Sequence, residues 1–151
     1  MHVATYIGMV HSAEMQLSKA LKMVAVKHID EPDTEHVCKL LASWSEQHEQ
    51  GLLPFIEKYS EDRSSPEPKR LQSLFKETRT GSMGMLRDLH DLWLLTQEVS
   101  ICWKVILQAA RGLRDKELES ACQEFQAQTE RQALWMLTRI KQAAPQTLLV
   151  A

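Results

Sequence analysis

Apolar residues recur along this chain at alternating spacings of three and four, in four long stretches. In the first, Val3, Ile7, Val10, Leu17, Leu21 and Val24 draw one seam along a helix face. Asp30-Glu31-Pro32-Asp33 interrupts it, and Asp33 or Thr34 is placed to cap the next helix. The second stretch buries Val37, Leu41, Trp44, Leu52, Phe55 and Tyr59, and a kink is expected at Gly51 and Pro54. Residues 60–81 form one long connection in which Leu71, Leu74 and Phe75 suggest a short helix. The third stretch is apolar nearly all round, from Leu86, Leu89 and Leu92 through Trp93, Leu94, Leu95, Val99 and Ile101 to Trp103, Val105 and Ile106. Gly112 and Asp115 punctuate the next turn. The fourth stretch aligns Leu118, Cys122, Phe125, Met136 and Ile140, and Pro145 is expected to stop it.

These seams predict helices near residues 3–29, 34–59, 83–112 and 115–143. Helices of ~28 residues are ~42 Å long, and the long connection can return along that length. Two short turns and one long crossover predict an all-α, antiparallel four-helix bundle, with residues 1–151 as a single domain. Only five Gly and five Pro occur, which disfavours a turn-rich β fold. Hydrophobic residues at 44% and charged residues at 25% place the chain among globular proteins. The net charge of -2, with both signs mixed, gives no footprint for nucleic acid. No apolar run approaches the ~20 residues that span a membrane, and the first residues do not pattern as a signal peptide. Cys38, Cys102 and Cys122 are odd in number and widely spaced, as expected of reduced, buried thiols in a cytoplasmic protein.

Polar residues interrupt the apolar seams at half height. Glu14 falls between Val10 and Leu17, and His48 between Trp44 and Leu52. Glu46 and Glu49 share a neighbouring stripe with Leu53 and Ile56. Glu98 lies between Leu94 and Ile101, and Glu130 on a stripe with Ala127, Leu134 and Leu137. Folding the first hairpin about residues 31–32 sets Glu14 opposite Glu49, and folding the second about 113–114 sets Glu98 opposite Thr129. Buried carboxylates must be paired, protonated or bound to a cation. A shift of 84 residues superposes Glu14 on Glu98, Cys38 on Cys122 and Glu46 on Glu130.

This arrangement resembles the ferritin-like superfamily. Its di-iron members carry a Glu on the first and third helices and Glu-x-x-His on the second and fourth. Glu14 and Glu98 match the lone glutamates, and Glu46 and Glu130 match the Glu of each pair. No Glu-x-x-His occurs: Glu49 and Ala133 stand at the histidine positions. The resemblance therefore implies the fold more than di-iron chemistry. A metal site of iron, manganese or zinc would draw on Glu14, Glu46, His48, Glu49, Glu98 and Glu130. The competing reading has one or two carboxylates bonded inward to His48, Gln97, Gln128 or Arg131 and the rest solvated.

Other groups carry less. His11 and Glu14 are one turn apart, as a ligand pair or a core polar pair would be. Asp88, His90 and Asp91 cluster as ligands or as a solvated first turn would, and His36 reads as exposed. The tryptophans, with Phe55, Phe125 and Tyr59, read as core. No nucleophile, base and orienting residue fall at a recognisable spacing, so the reading leans away from an enzyme without excluding one. The first function expected is a non-enzymatic interaction or scaffolding bundle. A homodimer through the third helix, or a protein partner, would cover its surplus apolar surface. Leu71, Leu74 and Phe75 are the competing cover. The alternative is a metal-binding, redox-active bundle, and an acid–base enzyme on Glu14 and His48 ranks third.

Overall fold

The computed structural model describes residues 2–59, 74–75 and 80–149. It contains four helices: α1 (Val3–Lys27), α2 (Pro32–Tyr59), α3 (Gly81–Leu113) and α4 (Lys116–Leu149). No strand occurs among the described residues. Every apolar residue of the first seam is buried, with Val10, Leu17, Leu21 and Val24 wholly inaccessible.

The turns arise from local chemistry. α1 ends where the His28 N–H bonds to Val24 O, and the Glu31 N–H closes the turn on His28 O. α2 then begins at Pro32, not at a cap on Asp33 or Thr34. Proline has the helical φ already and lacks the N–H that a first turn would leave unused. Thr34 is instead buried, its Oγ1 accepting from Arg139 Nη2 at 3.3 Å. Asp33 and Glu35 complement the positive end of α2.

α3 closes with Arg114 in the left-handed region (φ 56°). The Arg114 N–H bonds to Arg111 O and the Asp115 N–H to Ala110 O, the paired bonds of a Schellman ending. Arg114, not Gly112, thus takes the left-handed position, at a cost of about 1–2 kcal/mol. Asp115 immediately caps α4: its Oδ1 accepts the Leu118 N–H at 3.1 Å. Its Oδ2 accepts from Tyr59 and from Lys58 Nζ, the latter at 2.9 Å. These bonds hold the Asp115 carboxyl down at about 2, led by Tyr59 and against a smaller contribution from burial. They also pin the end of α2 to the start of α4.

One helix runs past its expected end: α2 stops at Tyr59 as the sequence reading has it, but α4 extends beyond residue 143. α2 passes unbroken through Gly51 and Pro54 to Tyr59, and α4 passes through Pro145 to Leu149. Pro54 is exposed, as is Gln50 four residues before it, so water can take up the carbonyl that proline leaves without a donor. The same holds at Lys141, four residues before Pro145.

α1 packs on α2 and α3, and α4 packs on α3 and α2. The start of α3 lies beside Lys27 and His28, at the opposite end from the Tyr59–Asp115 contact. The connection between α2 and α3 therefore runs from one end of the helices to the other. The short helix expected within residues 60–81 lies outside the described residues, apart from Leu74 and Phe75. Those two adjoin α1 and α3 near Gln16, Lys19, Ala20, Met23 and Leu95, and the Phe75 N–H bonds to Asp91 Oδ2 at 3.2 Å. No helix among the described residues is long and apolar enough to cross a membrane.

Candidate functional site

Glu14 and His48, the two polar residues that interrupt apolar seams on α1 and α2, are both wholly buried and hydrogen-bonded to each other. Glu14 Oε2 accepts from His48 Nδ1. On the other side of the ring, His48 Nε2 lies 2.6 Å from Gln128 Oε1 of α4. Phe125 stacks on the imidazole with centroids 4.5 Å apart and planes tilted by 31°. Trp103 of α3 meets it edge-on at 6.3 Å and meets Phe125 at 5.3 Å. α2 thus carries the ring, and each of the other three helices contributes a wall or partner to it.

Both partners of the ring are oxygens, a carboxylate and an amide carbonyl. An imidazole that donates from both nitrogens is protonated. Burial pushes the His48 pKa down, but the bond to Glu14 and its charge outweigh that, with help from Gln128 and Glu124, and the net shift is upward. The outer Glu14 oxygen, Oε1, is buried and has no hydrogen-bond partner among the described residues.

Gly51 makes room for the stacked ring. A Cβ there would lie 2.5 Å from Phe125 Cζ, inside any real contact. Alanine normally favours a helix over glycine by about 1 kcal/mol. Overpacking a ring wedged between His48 and Trp103 costs about 1–3 kcal/mol. Gly51→Ala is therefore expected to lose about 1 kcal/mol net in urea unfolding, and adding Phe125→Leu should recover it. A stabilised Gly51→Ala protein would show that the ring is free to move aside.

Of the six residues that the sequence brings forward as metal ligands, the structure joins only Glu14 and His48. Glu46 is half exposed and paired with Lys22. Glu130 is exposed and accepts from Gln126 Nε2 at 3.3 Å. Glu49 is partly exposed, its pKa raised by burial first and then by the charges of Glu14 and Glu46. Glu98 is buried, with the Cys102 thiol 4.0 Å from its Oε1. Among the described residues no three His, Cys, Asp or Glu side chains stand together in a way that could hold a metal ion. The centre offers one carboxylate, an amide and an imidazole with both nitrogens already engaged. Glu14 and His48 pair with each other here, two ligating side chains where a closed metal site uses three or four.

Further polar groups are buried elsewhere in the bundle. Gln132 Nε2 donates to Leu41 O at 2.9 Å and to Ser45 Oγ at 3.0 Å, tying α4 to α2. Asp88, which a solvated first turn would expose, is wholly buried. It binds His28 Nε2 at 2.8 Å and Lys27 Nζ at 3.1 Å, beside a cavity of about 560 Å³. His28 and Gln132 carry no motif. The signal for Gln132 lies in extending the α4 stripe through Thr129 to Met136, which places it on the buried side. Burial pushes the Cys38 and Cys122 thiols up to about 12, so both stay protonated and unreactive. Glu14 and His48 are both sealed from solvent. Comparison of the chain with known protein families, characterised proteins and solved structures finds no match.

Proposed function

We propose that this chain is a non-enzymatic, ferritin-like helical bundle that works by protein–protein contact, first of all with a second copy of itself. The observation that carries the reading is the outer side of α3. Leu94, Ile101 and Val105 are 40%, 52% and 37% exposed, along one stripe of the helix. The stripe runs into an apolar groove of about 430 Å³ between α1 and α3, walled by Val3, Tyr6, Val105, Ile106, Ala109 and Leu113. Leu74 and Phe75 reach the α1–α3 seam higher up, near Leu95, and do not line this groove. Contiguous apolar surface on a folded chain marks an interaction site. A two-fold copy presents the same stripe back to itself and closes the contact.

The finer description of the fold rests on the order of contacts. Along α2, Thr34, Ser45, His48 and Tyr59 meet Arg139, Gln132, Gln128 and Asp115 in descending order, as antiparallel neighbours do. One end-to-end connection between two short-turn hairpins is the ferritin-like scheme. The three buried cysteines, none in a disulfide, fit a reducing, cytoplasmic setting.

Sedimentation equilibrium at micromolar concentration is expected to give a species of twice the 17.3 kDa chain mass. Ile101→Lys, which places a charge in the middle of the stripe, should return it to the chain mass with its helical content unchanged. A wild-type protein that sediments at 17.3 kDa at these concentrations overturns the self-association reading.

A further inference from the structure

We infer that the Glu14–His48–Gln128 contact is a proton-operated clasp: the His48 imidazolium holds α1, α2 and α4 together, and loss of its proton loosens the middle of the bundle. The geometry carries this. The ring sits wholly inside the protein, between two oxygen acceptors from two other helices, with Phe125 across its face and Trp103 at its edge. A neutral imidazole has one N–H and can satisfy only one of those acceptors. Its bare nitrogen would then require Gln128 to turn its amide round and donate, and Glu14, whose Oε1 already has no partner among the described residues, would lose its counter-charge.

The groups around the ring fix the direction of the response. α1 presents Glu14, with His11 one turn away. α4 presents the charge of Glu124 besides Gln128 and Phe125. α3 presents Trp103, which does not titrate, and α2 itself adds Glu49, close enough to feel the Glu14 charge. The acidic neighbours favour the charged ring. A histidine whose folded pKa lies above its ordinary 6.5 stabilises the fold fully below pH 6.5 and loses that contribution as pH rises through the folded value. His11 acts in the opposite sense: burial lowers its pKa, against a smaller raising effect of Glu14, so its contribution grows as pH rises towards 6.5. The wild-type pH profile must therefore be read against a variant.

Two measurements test the clasp. In nitrogen-edited NMR of the wild-type protein at pH 7, His48 should show protons on both ring nitrogens, slow to exchange with water. Its signals are assigned by their disappearance in His48→Gln. In urea unfolding from pH 6 to pH 9.5, the wild-type midpoint should fall, and the fall should be lost in His48→Gln. If His48→Gln does not fold, Gln128→Met, which removes one acceptor and leaves the charge pair, should shift the wild-type fall to lower pH. A single ring proton on His48 at pH 7 overturns the proposal. So does a pH profile that the folded variant leaves unchanged.

Discussion

Replacing Glu14 by alanine is expected to destabilise the fold by about 3–5 kcal/mol at pH 7, the cost of breaking a buried pair by removing one partner. His48 would remain wholly buried with its Nδ1–H facing a void where the carboxylate stood. Glu14→Leu should be little better. It refills the α1 seam between Val10 and Leu17 but leaves His48, neutral once burial alone governs it, with an unmatched buried Nδ1–H. The informative protein is the double replacement Glu14→Leu/His48→Leu, in which both charges leave together and both seams become apolar. Exchanging a buried ion pair for packed hydrophobic residues is neutral or stabilising by about 1–4 kcal/mol. The cycle formed by the two single variants and the double one should thus show a large coupling, because the residues act as one unit. Equilibrium urea unfolding of the four proteins reads it directly. Single variants that cost less than about 1 kcal/mol, or a double variant as unstable as the sum of the singles, would mean that the pair is not a coupled charge pair.

Trp103→Ala is expected to cost about 3–5 kcal/mol, as truncation of a large buried aromatic does. Trp103 heads the fully buried side chains by size and braces both Phe125 and the edge of His48. Trp103→Phe should behave very differently. The indole Nε1–H is buried with no hydrogen-bond partner among the described residues, so phenylalanine removes an unsatisfied donor while keeping a ring in the cavity. A loss below about 1.5 kcal/mol is expected, within the range of tolerated hydrophobic swaps. Urea midpoints of the two variants should therefore stand well apart. If they coincide, the indole N–H contributes as much as the packing does, and the ring box around His48 is held differently.

How much of this can be read from sequence depends on what a residue interrupts. Glu14 and His48 stand where a period of three and four demands an apolar side chain. Such a position can only face inward, and both are buried and joined. Glu46 and Glu130 carry no such mark. They lie on second stripes that carry exposed apolar members, Leu53 at 48% and Leu134 at 64%. Successive helix positions turn by about 100°, so an error of one or two positions moves a side chain from core to solvent. Gln128, two residues before Glu130, has the inward phase and takes the contact with His48. The Asp88–His28 pair is illegible for another reason. It joins residues 60 apart at the ends of two helices, where no apolar seam surrounds them to make their polarity stand out. The Pro145 position fails as a stop signal because α4 is solvent-exposed there and can spare one hydrogen bond.

The two short turns and the single long connection also shape how the chain reaches this state. Hairpins closed over a few residues form quickly, since the entropy lost on closing a loop grows with its length. The polar bonds between hairpins span far larger separations: 60 residues for His28–Asp88, 80 for His48–Gln128 and 91 for Gln132–Leu41. They can form only when the preassembled halves dock. Apolar seams tolerate a slip of one turn, since one aliphatic side chain replaces another. A slipped docking would strand a carboxylate, an imidazolium and an amide in a dry interface, several kcal/mol uphill. The buried polar groups therefore proofread the joining of the two hairpins, rejecting alignments that hydrophobic contact alone would accept.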